Sequence, residues 1–156
     1  MTTIVVVDDN AAVRETVASV LAVEPDFEVV ARVPSAASAI ATIERAPPDV
    51  VVIDQWLLDG DGTQLCADIR RRAPRTRVIV SLSYARASLA LAAFAAGAAG
   101  AVVKGTDLGT LRHAIRAVAE GGTWVDPTVA RPFVDLALDE AHEETPAEPA
   151  RTGAGR

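Results

Sequence analysis

Three short apolar runs each end on a side chain that could do chemistry. Ile4-Val5-Val6-Val7 leads into Asp8 and Asp9, Val50-Val51-Val52-Ile53 into Asp54, and Ala101-Val102-Val103 into Lys104. If these groups meet, three carboxylates share one crevice with one ammonium. Like charges at close range raise the cost of ionising each acid. A hard divalent cation removes that cost, because such ions take oxygen ligands. With Mg²⁺ among them, Asp54 could attack a phosphoryl group while the metal and Lys104 neutralise the moving charge.

A parallel sheet would bring the four groups together. Runs of β-branched residues separated by helical patterns read as buried parallel strands, and the residues just past their carboxyl ends gather on one edge. Strands are expected near residues 3–7, 28–32, 49–53, 77–82 and 100–103, and helices near 11–23, 35–46, 61–73, 86–96 and 107–120. This β-then-α alternation with short connections predicts an open doubly wound α/β fold. Pro25-Asp26, Pro47-Pro48 and Pro74 punctuate helix ends, Asp61-Gly62 precedes the third helix, and Asp107 suits the N-cap of the fifth.

The pattern changes after Gly121-Gly122. Trp124-Val125 reads as a short extended piece, and Asp126-Pro127 can open a further helix with Val129, Phe133, Leu136 and Ala137 as its apolar stripe. Pro132 should kink that helix or set its true start. From His142 the chain is Glu, Pro, Ala, Gly and Arg with no apolar anchor, and disorder is expected there. Residues 1–122 are thus expected as one domain, 123–141 as a linker or extra C-terminal helix, and 142–156 as a disordered tail.

The 156 residues suffice for one domain with a full core. A net charge of −6 argues against gripping nucleic acid by bulk electrostatics, and no direct contact with it is expected. The single cysteine, Cys66, falls in the apolar pattern of a helix and reads as a buried structural thiol. His113 and His142 have no ligand company. The N-terminus has no basic leader before its acids, so it does not read as a signal peptide. Ala87 to Val103 carries no charge and approaches the length of a membrane span. Gly97 and Gly100 interrupt it, however, and a helix followed by a strand accounts for it. A cytoplasmic protein without membrane contact is the expectation.

The acid pair, the strand-end Asp54, Asp59-Gly60-Asp61-Gly62 and the strand-end Lys104, in that order, resemble the receiver domain of two-component response regulators. The likeness covers roughly residues 3 to 122. Gly97-Ala98-Ala99-Gly100 and the Glu120-Gly121-Gly122 exit look like the nitrate-regulator/LuxR-type branch. The resemblance implies a flavodoxin-like sheet of strand order 2-1-3-4-5 with helices on both faces. It also implies roles: Asp54 as phosphoacceptor, Asp9 as a direct Mg²⁺ ligand, and Asp8 assisting through water. The backbone carbonyl of Trp56 would complete the metal site while its ring overhangs it. Lys104 would pair with phosphoryl oxygens, and Ser83 would leave room for the donor. A partner histidine kinase is implied, and a homodimer through the fourth helix, fifth strand and fifth helix is in keeping with the family.

Two positions depart from the pattern. The family couples a hydroxyl at the end of the fourth strand to an aromatic ring on the fifth. Here those positions are Leu82, flanked by Ser81 and Ser83, and Ala101. Leu82 has no hydroxyl to offer a phosphoryl oxygen and Ala101 has no ring to swing. Ser81 should face away from Leu82. Leu58 stands where proline is usual, and Gly105 follows Lys104 directly.

The expectation is therefore a signalling module, not a metabolic enzyme. It would accept a phosphoryl group on Asp54 in a phosphorelay, regulate transcription through an output domain that is not in this chain, and couple Asp54 to output weakly or differently. The main alternative is a phosphorylation-independent interaction or dimerisation module with the receiver fold. An aspartate-nucleophile phosphohydrolase fits poorly, since Asp54-Gln55-Trp56 lacks a second acid two residues on. A nucleotide-binding flavodoxin-like protein fits poorly too, since Asp8-Asp9-Asn10-Ala11 offers no glycine cradle.

Overall fold

A computed structural model describes residues 1–105 and 107–144. In chain order the first half holds β1 (Thr2–Val7), α1 (Ala11–Ala22), β2 (Phe27–Val33), α2 (Ala36–Arg45), β3 (Val50–Asp54), β4 (Trp56–Leu57) and β5 (Gly60–Asp61). The second half holds α3 (Gly62–Arg72), β6 (Arg77–Leu82), α4 (Ala87–Ala95), β7 (Gly100–Val103), α5 (Leu108–Ala119), β8 (Trp124–Val125) and α6 (Ala130–Glu144). The main sheet runs β2-β1-β3-β6-β7-β8 with every pairing parallel. The two-residue strands β4 and β5 form a separate antiparallel ribbon. With that ribbon set aside, the order is the expected 2-1-3-4-5. A sixth strand is added, because Trp124-Val125 pairs along the outer edge of β7.

Alternation along the strands divides the core in two. Val5, Val7, Val51, Ile53, Val78, Val80, Leu82 and Ala101 face α2, α3 and α4. Ile4, Val6, Val50, Val52, Ile79 and Val102 face α1 and α5. Both faces are covered, so the strands read as nearly unbroken apolar runs. Cys66 lies in the first cluster and its Sγ reaches the Ala96 carbonyl oxygen at 3.6 Å. Burial pushes its thiol up to about 11, as an inert structural cysteine requires.

Caps fix where the helices start. Asn10, Ser35, Asp61 and Asp107 each accept a backbone N–H of the following first turn. Gly62 opens α3 where the chain passes so close to β3 that a Cβ would sit 2.4 Å from the Asp54 carbonyl oxygen. No larger residue fits there without moving the strand end that carries Asp54.

Ala87–Val103 is a nine-residue helix, a turn and a strand, as expected, and no helix among the described residues is long and apolar enough to cross a membrane. One expectation needs correcting. His142, Glu143 and Glu144 belong to α6 and are not part of a disordered tail; residues 145–156 lie outside the described residues. Pro132 sits in the first turn of α6, where a missing N–H costs nothing. Phe133 then packs on Phe94 of α4, ring centroids 5.2 Å apart. The face expected for docking is thus partly filled by this chain's own C-terminal helix and by β8.

Candidate functional site

Asp8 follows β1, Asp54 ends β3 and Lys104 follows β7, so the sheet brings all three to the same carboxyl edge. Asp8, Asp9 and Asp54 each offer a carboxylate oxygen within 4.8 Å of the other two. Lys104 Nζ lies 2.7 Å from Asp54 Oδ2 and 3.1 Å from Asp8 Oδ2. Asp8 and Asp54 are buried, while Asp9 is half-exposed.

Neighbouring groups hold the acids in place. Asp8 Oδ1 accepts the Asn10 N–H at 2.9 Å, and Arg14 Nη1 donates to the Asp8 carbonyl oxygen at 2.8 Å. Burial raises the Asp54 carboxyl above its usual range; the Lys104 hydrogen bond opposes this, and the charge on Asp8 adds to it. For Lys104, burial alone would lower the ammonium, but its hydrogen bonds to Asp54 and Asp8 outweigh that and hold it above its ordinary value.

This donor set suits a hard divalent cation. Three carboxylates face one ammonium, which leaves two negative charges uncompensated in a half-buried crevice. All the nearby donors are oxygens, the ligands that Mg²⁺ takes.

A cavity of about 730 Å³ opens at the cluster and runs between α1 and α5. Asp8, Asp54, Ser81, Ser83 and Lys104 line it together with apolar side chains such as Val17 and Leu111. Ser83 is therefore beside the cluster. Ser81 is there too, since it pairs with Asp54 in the sheet and faces away from the buried Leu82. Leu82 and Ala101 are both fully buried against α4, where Ala90 and Ala93 pack. Trp56, two residues past Asp54, is 54% exposed. Its N–H makes a long 3.4 Å contact to Asp54 Oδ1.

The model of the response regulator receiver domain matches residues 4–116. The chain belongs to this family. As a receiver, it is 34% identical over 146 residues to the transcriptional activator DevR/DosR of Mycobacterium tuberculosis, covering 94% of this chain and 67% of that protein. It is 32% identical to the regulatory protein DegU of Brevibacillus brevis, covering 84% of this chain but 56% of DegU. The receiver thus spans between about half and two thirds of these curated relatives. Among solved structures, a LuxR-family response regulator from Aurantimonas sp. superposes with a TM-score of 0.83 at 30% identity, covering 88% of this chain and 99% of that one. The receiver domain of the putative response regulator NarL of M. tuberculosis gives 0.73 at 28% identity, covering 77% and 97%.

The structural roles of three residues of the receiver's frame were missed from the sequence. Asp59 accepts the Ala36 and Ala37 N–H groups at 2.9 and 3.1 Å and so caps α2 from a distant loop. Buried Asp126 accepts the Val103 N–H at 2.8 Å, beside Lys104, and also takes the Thr128 N–H and hydroxyl. Its Asp-Pro context signalled a helix start but not the grip on β7. Gln55 is 3% exposed and its Oε1 accepts the Ser83 N–H at 3.0 Å. A glutamine directly after a buried strand was the available signal.

Proposed function

We infer that this receiver accepts a phosphoryl group on Asp54 from the phosphohistidine of a partner histidine kinase. The observation that carries the reading is the convergence of Asp8, Asp9, Asp54 and Lys104 on one sheet edge. An Asp54 carboxylate oxygen attacks phosphorus, the P–N bond of the donor breaks, and the imidazole leaves with the bonding electrons. Lys104 turns from the Asp54 oxygen toward the incoming phosphoryl oxygens, and Ser83 leaves space for the donor. Asp8, Asp9, Asp54 and the Trp56 carbonyl are the groups to hold Mg²⁺, which supplies charge neutralisation on the phosphoryl oxygens.

The role is that of a cytoplasmic signalling module within a transcription regulator, with no reaction on a metabolite and no nucleic-acid contact of its own. The face of α4, β7 and α5 is shared with α6, so self-association through it requires α6 to move or take part. Because Leu82 has no hydroxyl and Ala101 no ring, the state of Asp54 reaches the rest of the molecule by a route other than that pair. The same two residues favour the second reading, a phosphorylation-independent interaction module.

Transfer of label from the radiolabelled phosphohistidine domain of a kinase separates the two. Label should move to this chain, be released by hydroxylamine as an acyl phosphate is, and be absent from Asp54→Asn. Label that survives hydroxylamine would sit on a hydroxyl such as Ser81 or Ser83 and overturn the assignment. No transfer at all favours the interaction module.

A further inference from the structure

Gln55 is a buried polar side chain that the chemistry above does not use. Such a group persists in a core when it has partners that specify a geometry. It follows Asp54 directly and ties the end of β3 both to the end of strand β6 and to the segment just after it. Its N–H donates to the Ser81 carbonyl oxygen at 2.9 Å, and its Oε1 accepts the Ser83 N–H at 3.0 Å. Its own carbonyl oxygen accepts the Gly62 N–H at 2.7 Å, which anchors it to the start of α3. Residues 83–86 lead straight into α4, and α4 carries α6 through Phe94 and Phe133.

Ser83 also lines the cavity that holds Asp54 and Lys104. A phosphoryl group on Asp54 brings three strong acceptor oxygens into that cavity. A phosphoryl oxygen there is a second candidate acceptor for the Ser83 N–H, which in the unmodified form donates to Gln55 Oε1. One N–H forms one good hydrogen bond, so the two contacts compete. We propose that Gln55 competes with the Asp54-bound phosphoryl group for the Ser83 N–H, and that exchange of this hydrogen bond carries the state of Asp54 to α4 in place of the absent hydroxyl–aromatic pair. Gln55 is a positioning residue in this scheme. Its bond to Ser83 holds that segment in the unmodified form, and loss of the bond frees the segment when Asp54 is modified.

This rests on the phosphoacceptor reading, and one experiment separates the two. Wild type, Gln55→Met and Gln55→Glu are titrated with beryllofluoride in the presence of Mg²⁺, and the amide resonances of Ser83 and of Ala87–Ala95 are followed. Methionine keeps the length of the side chain but removes the acceptor; glutamate keeps the acceptor. Competition predicts that Gln55→Met binds beryllofluoride about three- to tenfold more tightly, the scale of one net hydrogen bond. It also predicts that the α4 shifts fall to less than half of the wild-type size, while Gln55→Glu keeps them. A purely structural role predicts the opposite for Gln55→Met, namely weaker binding from a loosened site, and that result overturns the proposal. Equal affinity and equal α4 shifts in wild type and Gln55→Met overturn it as well. Failure of wild type to bind beryllofluoride at all overturns the phosphoacceptor reading itself.

Discussion

At Asp54, burial and the charge on Asp8 push the carboxyl toward its neutral form against the pull of Lys104. The folded-state pKa is raised, so on raising the pH the unfolded chain ionises first. The contribution of Asp54 to stability is then fully present below the unfolded value of 3.8 and is lost as pH rises through the folded value. Asp54→Asn escapes that loss. Without Mg²⁺ it should unfold at higher urea concentration than wild type at pH 7, with the difference closing near pH 3. Equal midpoints at pH 7 would mean that Lys104 already compensates the acid in full. The acids and the lysine were legible in the sequence because each ends a run of β-branched residues. Gln55 was not, because its partner is a backbone N–H nearly thirty residues away and no side-chain type announces such a bond.

Among the elements, α2 and β7 show how local order is borrowed from elsewhere in the chain. Ser35 caps α2 locally, but Asp59 adds two backbone hydrogen bonds from the ribbon after β3, and these hold its carboxyl below the ordinary range. The lowered pKa means that this stability is present above 3.8 and is lost as pH falls through the folded value. Asp59→Ala should cost about 1 kcal/mol at neutral pH, the usual size of a lost cap, and less at strongly acidic pH, where the carboxyl is neutral. Urea unfolding at both conditions checks it. On β7, Ala101 is fully buried in the cluster that holds Ala90 and Ala93 of α4. Restoring an aromatic ring by Ala101→Tyr should therefore destabilise the fold by about 1–3 kcal/mol through overpacking. Unchanged stability would show that α4 can make room and that the ring is dispensable for other reasons. The strands and helices were predictable to within a residue or two, since buried parallel strands and capped helices leave strong periodic signals. The pairing of Trp124-Val125 with β7 was not, because two residues carry no period and only the exposed edge of β7 gives them a place.

For the molecule as a whole, β8 and α6 are packed into the receiver's architecture and are not an appendage. β8 extends the sheet, Asp126 grips β7 next to Lys104, and α6 lies on α4 through Phe133 and Phe94. The face once expected to meet a second copy is therefore occupied in part from within. Phe133→Ala should cost about 1–3 kcal/mol, below the range for a fully buried ring, and should loosen α6 while the sheet persists. Amide exchange would read this as lost protection confined to α6 and α4; uniform loss along the sheet would contradict it. The helix was visible in the sequence as a stripe of Val129, Phe133 and Leu136, but its partner was not, since a stripe does not say what covers it. The central claim concerns Asp54 and is tested most directly by intact mass after exposure to a small acyl phosphate. Wild type with Mg²⁺ should gain the mass of one phosphoryl group, and the gain should vanish in Asp54→Asn and on chelating the metal. A wild-type protein that gains nothing, or an Asp54→Asn variant that gains as much, would contradict the account.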